Sequence, residues 1–150
     1  GFTTCLHRIY LSIDGEKAPV PEVKKMMPPV WSRATRGSAI RLYAAHGNRL
    51  EIAEGPETAF AVRLGTKLAT WATGTALGMQ HLLIPESIRF VDLWADLDRS
   101  GAGQRAAESL AKRLAGEGRT VRILTPPGPI PDGAKSVDWL DILNAERGLS

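Results

Sequence analysis

At Leu50 the chain changes character. From there short apolar runs alternate with stretches patterned for helices: Leu50–Ala53, a helix opened by Pro56 and running to about Leu64, then Thr70–Ala72. A short helix over 75–82, a strand over Ile88–Trp94, a long helix after Asp98 and a strand over Thr120–Leu124 follow. Strands that alternate with helices argue for an α/β fold around a parallel sheet, because a parallel neighbour is reached only by a crossover. Pro56 suits a first helical position, where its missing N–H has no intrahelical partner to lose. In the long helix Ala102, Ala106, Ala107, Leu110, Ala111 and Leu114 recur at helical spacing and make one apolar stripe.

The first part of the chain reads differently. His7–Ile13 is expected as a strand, Asp14-Gly15 as a turn and Ala18–Pro29 as an extended loop, since its prolines bar a continuous helix. Ile40–Ala44 and Leu50–Ala53 suggest a hairpin closed across His46-Gly47-Asn48. Near the end, Ser136 is a candidate N-cap for a last short helix. The expected organisation is a β-hairpin-rich, basic segment over 1–49 packed on a core over 50–146, with a frayed tail at 147–150. Gly1 in place of Met suggests a piece of a longer protein.

At 150 residues one domain can bury an adequate core without cross-links. Cys5 is the lone cysteine, which excludes an intrachain disulfide and a zinc site of several thiolates. His7, His46 and His81 lack metal-ligand spacing. No apolar run is long enough to span a bilayer and no signal peptide is recognisable, so a cytoplasmic protein without a membrane partner is expected.

Two acidic turns carry the chemistry. Glu54-Gly55 closes one apolar strand, and Asp96-Leu97-Asp98 closes another. In a parallel sheet all strand C-termini share one edge, where open α/β folds place their ligands. Asp96 and Asp98, at alternate positions, project to one side if the segment is extended. Carboxylates gathered this way repel, and a hard divalent cation relieves them; all-oxygen ligation favours Mg2+, with Mn2+ as its substitute. The plain alternative for Asp96 and Asp98 is an acidic cap on the long helix, and Glu57 is explained as a first-turn acid. Asp138 and Asp141 decorate the last helix or serve as outer members of the site.

Charge is uneven. Residues 1–50 hold eight Lys or Arg against three Asp or Glu, and residues 51–100 hold four against seven. A basic front beside an acidic centre suits a polyanion held near a metal, whereas scattered surface solvation explains the same counts more plainly.

Taken together, Glu54-Gly55, Asp96-Leu97-Asp98 and their flanking strands and helices resemble the Toprim domain of primases, topoisomerases and some nucleases. Ile52–Ala61, Trp94–Ala107, Lys135–Leu143 and the segment from Tyr10 to Pro19 look like the Toprim unit of primase or primase-helicase proteins of phages and plasmids. The chain departs from that subgroup at Leu140, where an Asn is usual. The resemblance implies a Toprim-like catalytic core in which Asp96 and Asp98 hold Mg2+ and Glu54 is a ligand or general acid/base, with Asp138 as a further candidate ligand. It implies a DNA primase making RNA primers from nucleoside triphosphates on single-stranded DNA. A zinc-binding segment and a helicase would accompany it in the parent protein. Arg99 and Arg105 are candidates for phosphate contact, and Lys24, Lys25, Arg33, Arg36 and Arg41 for template. A Toprim-type nuclease and a non-catalytic nucleic-acid-binding module are the competing readings.

Overall fold

The computed structural model describes residues 3–148. The tail expected beyond Arg147 therefore lies, for Leu149 and Ser150, outside the described residues. The chain divides into two compact units, 1–38 and 39–150.

In the first unit β1 (His7–Ile9) pairs antiparallel with β2 (Lys24–Met26), Arg8 opposite Lys25. The strand expected over His7–Ile13 is shorter: Leu11 makes only an isolated bridge to Lys17, around a turn in which Gly15 takes a positive φ of 85°. The segment expected as a loop over 18–29 contributes β2.

The second unit is built on a five-stranded sheet in the order β3-β5-β4-β6-β8. Its strands are β3 (Ile40–Arg41), β4 (Arg49–Ala53), β5 (Thr70–Ala72), β6 (Phe90–Trp94) and β8 (Thr120–Leu124). β5, β4, β6 and β8 run parallel, and β3 joins β5 antiparallel. The hairpin expected between Ile40–Ala44 and Leu50–Ala53 does not form. β3 pairs instead with β5, because the central place beside β4 is taken by the longer parallel strands, which bury both faces.

Helices cover each face. Leu50, Ile52, Val91 and Leu93 point to one side and pack with Met79 and Leu82 and with Ala106, Ala107, Leu110 and Leu114. These belong to the region of α2 (Ala76–His81) and to α3 (Ala102–Gly116), so the predicted apolar stripe of α3 faces the core, with Ala102 left outside it. On the other side Ala53 and Ala72 pack with Ala59 of α1 (Pro56–Thr66). Pro56 does start α1. β7 (Leu97–Asp98) and β9 (Ser136–Val137) form a separate antiparallel pair, and α4 (Trp139–Arg147) follows. Ser136 is thus in a strand, and the N-cap of α4 is Asp138. Asp138 and Asp141 form a reciprocal capping box, each side chain accepting the other's backbone N–H at 2.9 Å, which satisfies two helix-end donors at once.

Candidate active site

Ala53 and Trp94 face each other in register at the ends of β4 and β6, so the residues that follow leave the sheet at the same C-terminal edge. Glu54 comes first after β4, and Asp96 two residues after β6. Gly103, in the first turn of α3, lies against this edge. A methyl group placed on it would sit 3.4 Å from Oδ2 of Asp98, 3.6 Å from Oε2 of Glu54 and 3.7 Å from the main-chain oxygen of Asp96. Only a residue without a side chain leaves open the space that these two carboxylates border.

The carboxylates differ in environment. Asp98 accepts from the Ser100 hydroxyl at 2.5 Å, from the N–H of Gly103 at 3.2 Å and from that of Ala102 at 3.4 Å, so it stabilises the start of α3. The Ser100 hydrogen bond, followed by the backbone donors, holds its carboxyl below the usual range despite some burial. Asp96 turns toward α1, where the Thr58 hydroxyl donates to its Oδ1 at 3.4 Å. Burial, then the charges of Asp138 and Glu54, push Asp96 up to about 7. Burial, then Asp98, raises Glu54, with the Ala76 backbone N–H opposing. Among the described residues no Lys or Arg pairs with Glu54, Asp96 or Asp98.

A divalent cation fits this donor set. The donors are all oxygen, burial and neighbouring carboxylates raise Asp96 and Glu54, and among the described residues no Lys or Arg pairs with any of the three. Among the described residues no three His, Cys, Asp or Glu side chains converge tightly enough to enclose an ion unaided. Mg2+ usually takes only one or two carboxylates, its remaining positions going to water and substrate phosphates.

A family model of the Toprim domain matches residues 49–147. The chain belongs to the Toprim family. Its fold is that of a Toprim primase domain. It is similar to a crystal structure of a DNA primase domain from Pseudomonas aeruginosa, with a TM-score of 0.57 and 17% identity over 97% of this chain and 48% of that one. It is also similar to the DnaG primase catalytic domain bound to ssDNA, with a TM-score of 0.55 and 20% identity over 95% of this chain and 49% of that one. The chain therefore spans about half the length of these structures. No curated protein matches the sequence. Among the described residues no helix is long and apolar enough to cross a membrane.

The basic residues singled out in the sequence fall in both units of this Toprim protein. Arg99 donates to the carbonyls of Ala134 and Pro131 at 2.9 and 3.1 Å, pinning the loop before β9. Arg105 folds back onto the Ser100 carbonyl at 2.9 Å. Arg41 lies over the Trp71 ring, 4.5 Å from its centroid. Lys24 and Lys25 are on β2, with Lys25 3.8 Å from Glu22, and Arg33 and Arg36 lie in turns of the first unit.

Sequence reading missed a second ionic group. Glu51 and Asp92 are neighbours in register on β4 and β6, on the same face as Ala53 and Trp94, and both are buried. Arg49 reaches both carboxylates, Arg122 on β8 pairs with Asp92, and the Trp94 indole N–H donates to Oε2 of Glu51 at 2.5 Å. The available signal was an acid in the middle of each apolar run, Leu50-Glu51-Ile52 and Val91-Asp92-Leu93, with Arg49 two positions before Glu51 and Arg122 in the middle of the run Val121–Ile123.

Proposed function

We propose that this chain is the Toprim catalytic domain of a DNA primase of the phage or plasmid type, joining ribonucleotides into primers on single-stranded DNA by Mg2+-dependent nucleotidyl transfer. The observation that carries the reading is the set of carboxylates at the C-terminal edge of the sheet: Glu54 and Asp98 border the gap at Gly103, Asp96 feels the charge of Glu54, and among the described residues no Lys or Arg pairs with any of them. The likeness to primase domains, one of them bound to ssDNA, supports that substrate class over others open to a Toprim site.

Asp96 and Asp98 are the residues to hold the metal, with Asp138 near enough to act on the charge of Asp96. When bound, Mg2+ (or Mn2+) neutralises triphosphate charge and favours ionisation of the attacking 3′-hydroxyl. Glu54, half-buried near Asp98 and raised in pKa, is suited to take that proton. Residues 50–146 form the catalytic core in this reading. The basic residues Lys24, Lys25, Arg33, Arg36 and Arg41 serve the template, and Arg99 and Arg105 stand next to the site. A zinc-binding segment and a helicase complete the parent protein, working in the cytoplasm.

The test is primer synthesis by the longest soluble parent protein on single-stranded templates with Mg2+ and with Mn2+. Glu54→Gln and Asp96→Asn should each abolish synthesis with folding intact by circular dichroism. Absence of synthesis by the parent with either metal sinks the primase assignment. Metal-dependent cleavage of labelled DNA without nucleotides replaces it with the nuclease reading.

A further inference from the structure

Asp138 stands at the junction of β9, which pairs with β7, and α4, which packs against α1. None of the side chains of α4 is fully buried. Its first residue, Trp139, sets its ring edge-on against Trp94, with centroids 4.7 Å apart and planes at 81°. The indole nitrogen of Trp139 is buried without a hydrogen-bond partner among the described residues, so ring packing rather than a polar contact seats this side chain. Trp94 is itself fixed from behind. It ends β6 two residues before Asp96, and its N–H is held at 2.5 Å by Glu51, a fully buried residue three positions before Glu54. Glu51 cannot swing away, because Arg49 holds its other oxygen at 3.3 Å.

We propose that Trp94 is a positioning residue of the carboxylate site: anchored by Glu51, its ring seats Trp139 and so fixes Asp138 beside Asp96. This positioning role rests on the metal-dependent reading above. The arrangement links chain segments that each end in a candidate ligand. Glu51 precedes Glu54 on β4, Trp94 precedes Asp96 after β6, and Trp139 follows Asp138 at the start of α4. The capping bond of Asp138 uses Oδ1, so Oδ2 is not part of it. Groups that orient a ligand from behind commonly change metal affinity when removed, although they touch no metal.

The test uses the full chain and Mn2+ alone, titrated by calorimetry, together with amide hydrogen exchange of the metal-free protein. Trp94→Phe keeps an aromatic ring and loses the donor to Glu51. It should weaken Mn2+ binding by about tenfold, the low end for loss of such a partner, and should speed exchange of the Asp141 amide, which is bonded to Oδ1 of Asp138. Glu51→Gln retains an acceptor for the indole and should bind Mn2+ as the wild type does. Trp139→Ala, on a helix with no buried side chain, should fold and reproduce the loss even where Trp94→Phe does not fold. Wild-type Mn2+ affinity in Trp94→Phe or Trp139→Ala, whatever the melting temperature, overturns the positioning role and leaves the metal site standing. A wild-type chain that binds no Mn2+ overturns the metal site, and the positioning role falls with it. An Asp141 amide that exchanges at the wild-type rate in both variants also overturns the role.

Discussion

Glu51 and Asp92 stand side by side on adjacent parallel strands, buried, and a single guanidinium, that of Arg49, reaches both. Two carboxylates at neighbouring register positions would repel if left to themselves, and burial sharpens the cost. Burial first, and then Asp92, raise the Glu51 pKa, against the Trp94 and Arg49 hydrogen bonds. Asp92 is lowered, its Arg122 and Arg49 hydrogen bonds outweighing its burial. Arg49→Met should therefore destabilise the chain by about 2 kcal/mol. That is less than breaking a fully buried pair, because the Arg49 side chain is 40% exposed and Arg122 still serves Asp92. Urea unfolding measures this, and the deficit should be smaller at pH 5 than at pH 7. The folded variant holds a proton on Glu51 more tightly than the unfolded chain does, so acid favours it.

Gly103→Ala separates folding from function. A methyl there makes ordinary van der Waals contact, 3.4 Å from Asp98 and 3.6 Å from Glu54, and alanine is the better helix former. Stability in urea should hold or rise by up to about 1 kcal/mol. Primer synthesis by the parent protein should fall at least about tenfold, because the methyl fills the gap bordered by the two carboxylates and a tenfold loss needs only about 1.4 kcal/mol. Undiminished synthesis would move the reacting centre elsewhere.

Asp98 has two roles that substitution can part. Asp98→Asn can keep one oxygen for the Ser100 hydroxyl and the N–H of Ala102, losing the Gly103 bond to Oδ2, and Asp98→Ala keeps none. Asp98→Ala should lose about 1 kcal/mol of stability as a helix-cap loss, and Asp98→Asn much less. Both should lose Mn2+ affinity by calorimetry. If the Asn variant binds Mn2+ normally, Asp98 is a helix-start residue alone.

Asp96 links metal to pH. Its carboxyl, pushed up to about 7 by burial and by Asp138 and Glu54, holds a proton in the folded chain that the unfolded chain has already released. Its contribution to stability is therefore full only below the ordinary carboxyl value of 3.8 and is lost progressively as pH rises from there to about 7. A bound divalent cation competes with that proton. The rise in melting temperature on adding Mg2+ should be small near pH 5.5 and grow up to pH 8, and Asp96→Asn should flatten the profile.

Much of the second unit was legible because burial and period agree there. β5 and β8 lie where the apolar runs Thr70–Ala72 and Thr120–Leu124 placed them, and Pro56 and the alanine stripe marked α1 and α3. Long-range choices were less legible. Ile40–Arg41 and Leu50–Ala53 look like hairpin partners in sequence, but partner choice is decided by which strand lies centrally in the sheet. Ser136 and Asp138 are both acceptable caps, and the capping box with Asp141 together with pairing of Ser136 to Asp98 decides between them. Glu51 was hidden because an acid among apolar neighbours looks solvent-facing until a helix is known to cover that face.

The pairing of Arg122 with Asp92 has a consequence beyond charge. Among the described residues no strand lies outside β8, so its outer backbone groups form an open seam on a five-residue strand with a partly exposed Ile123. Such seams recruit strands from other molecules. Here the guanidinium reaches inward to Asp92 on β6, and after Thr125 the chain continues with Pro126 and Pro127. A charged, largely exposed side chain on an edge strand and a chain that soon has no N–H to offer both blunt strand addition, so the residue that neutralises an inner acid also discourages self-association.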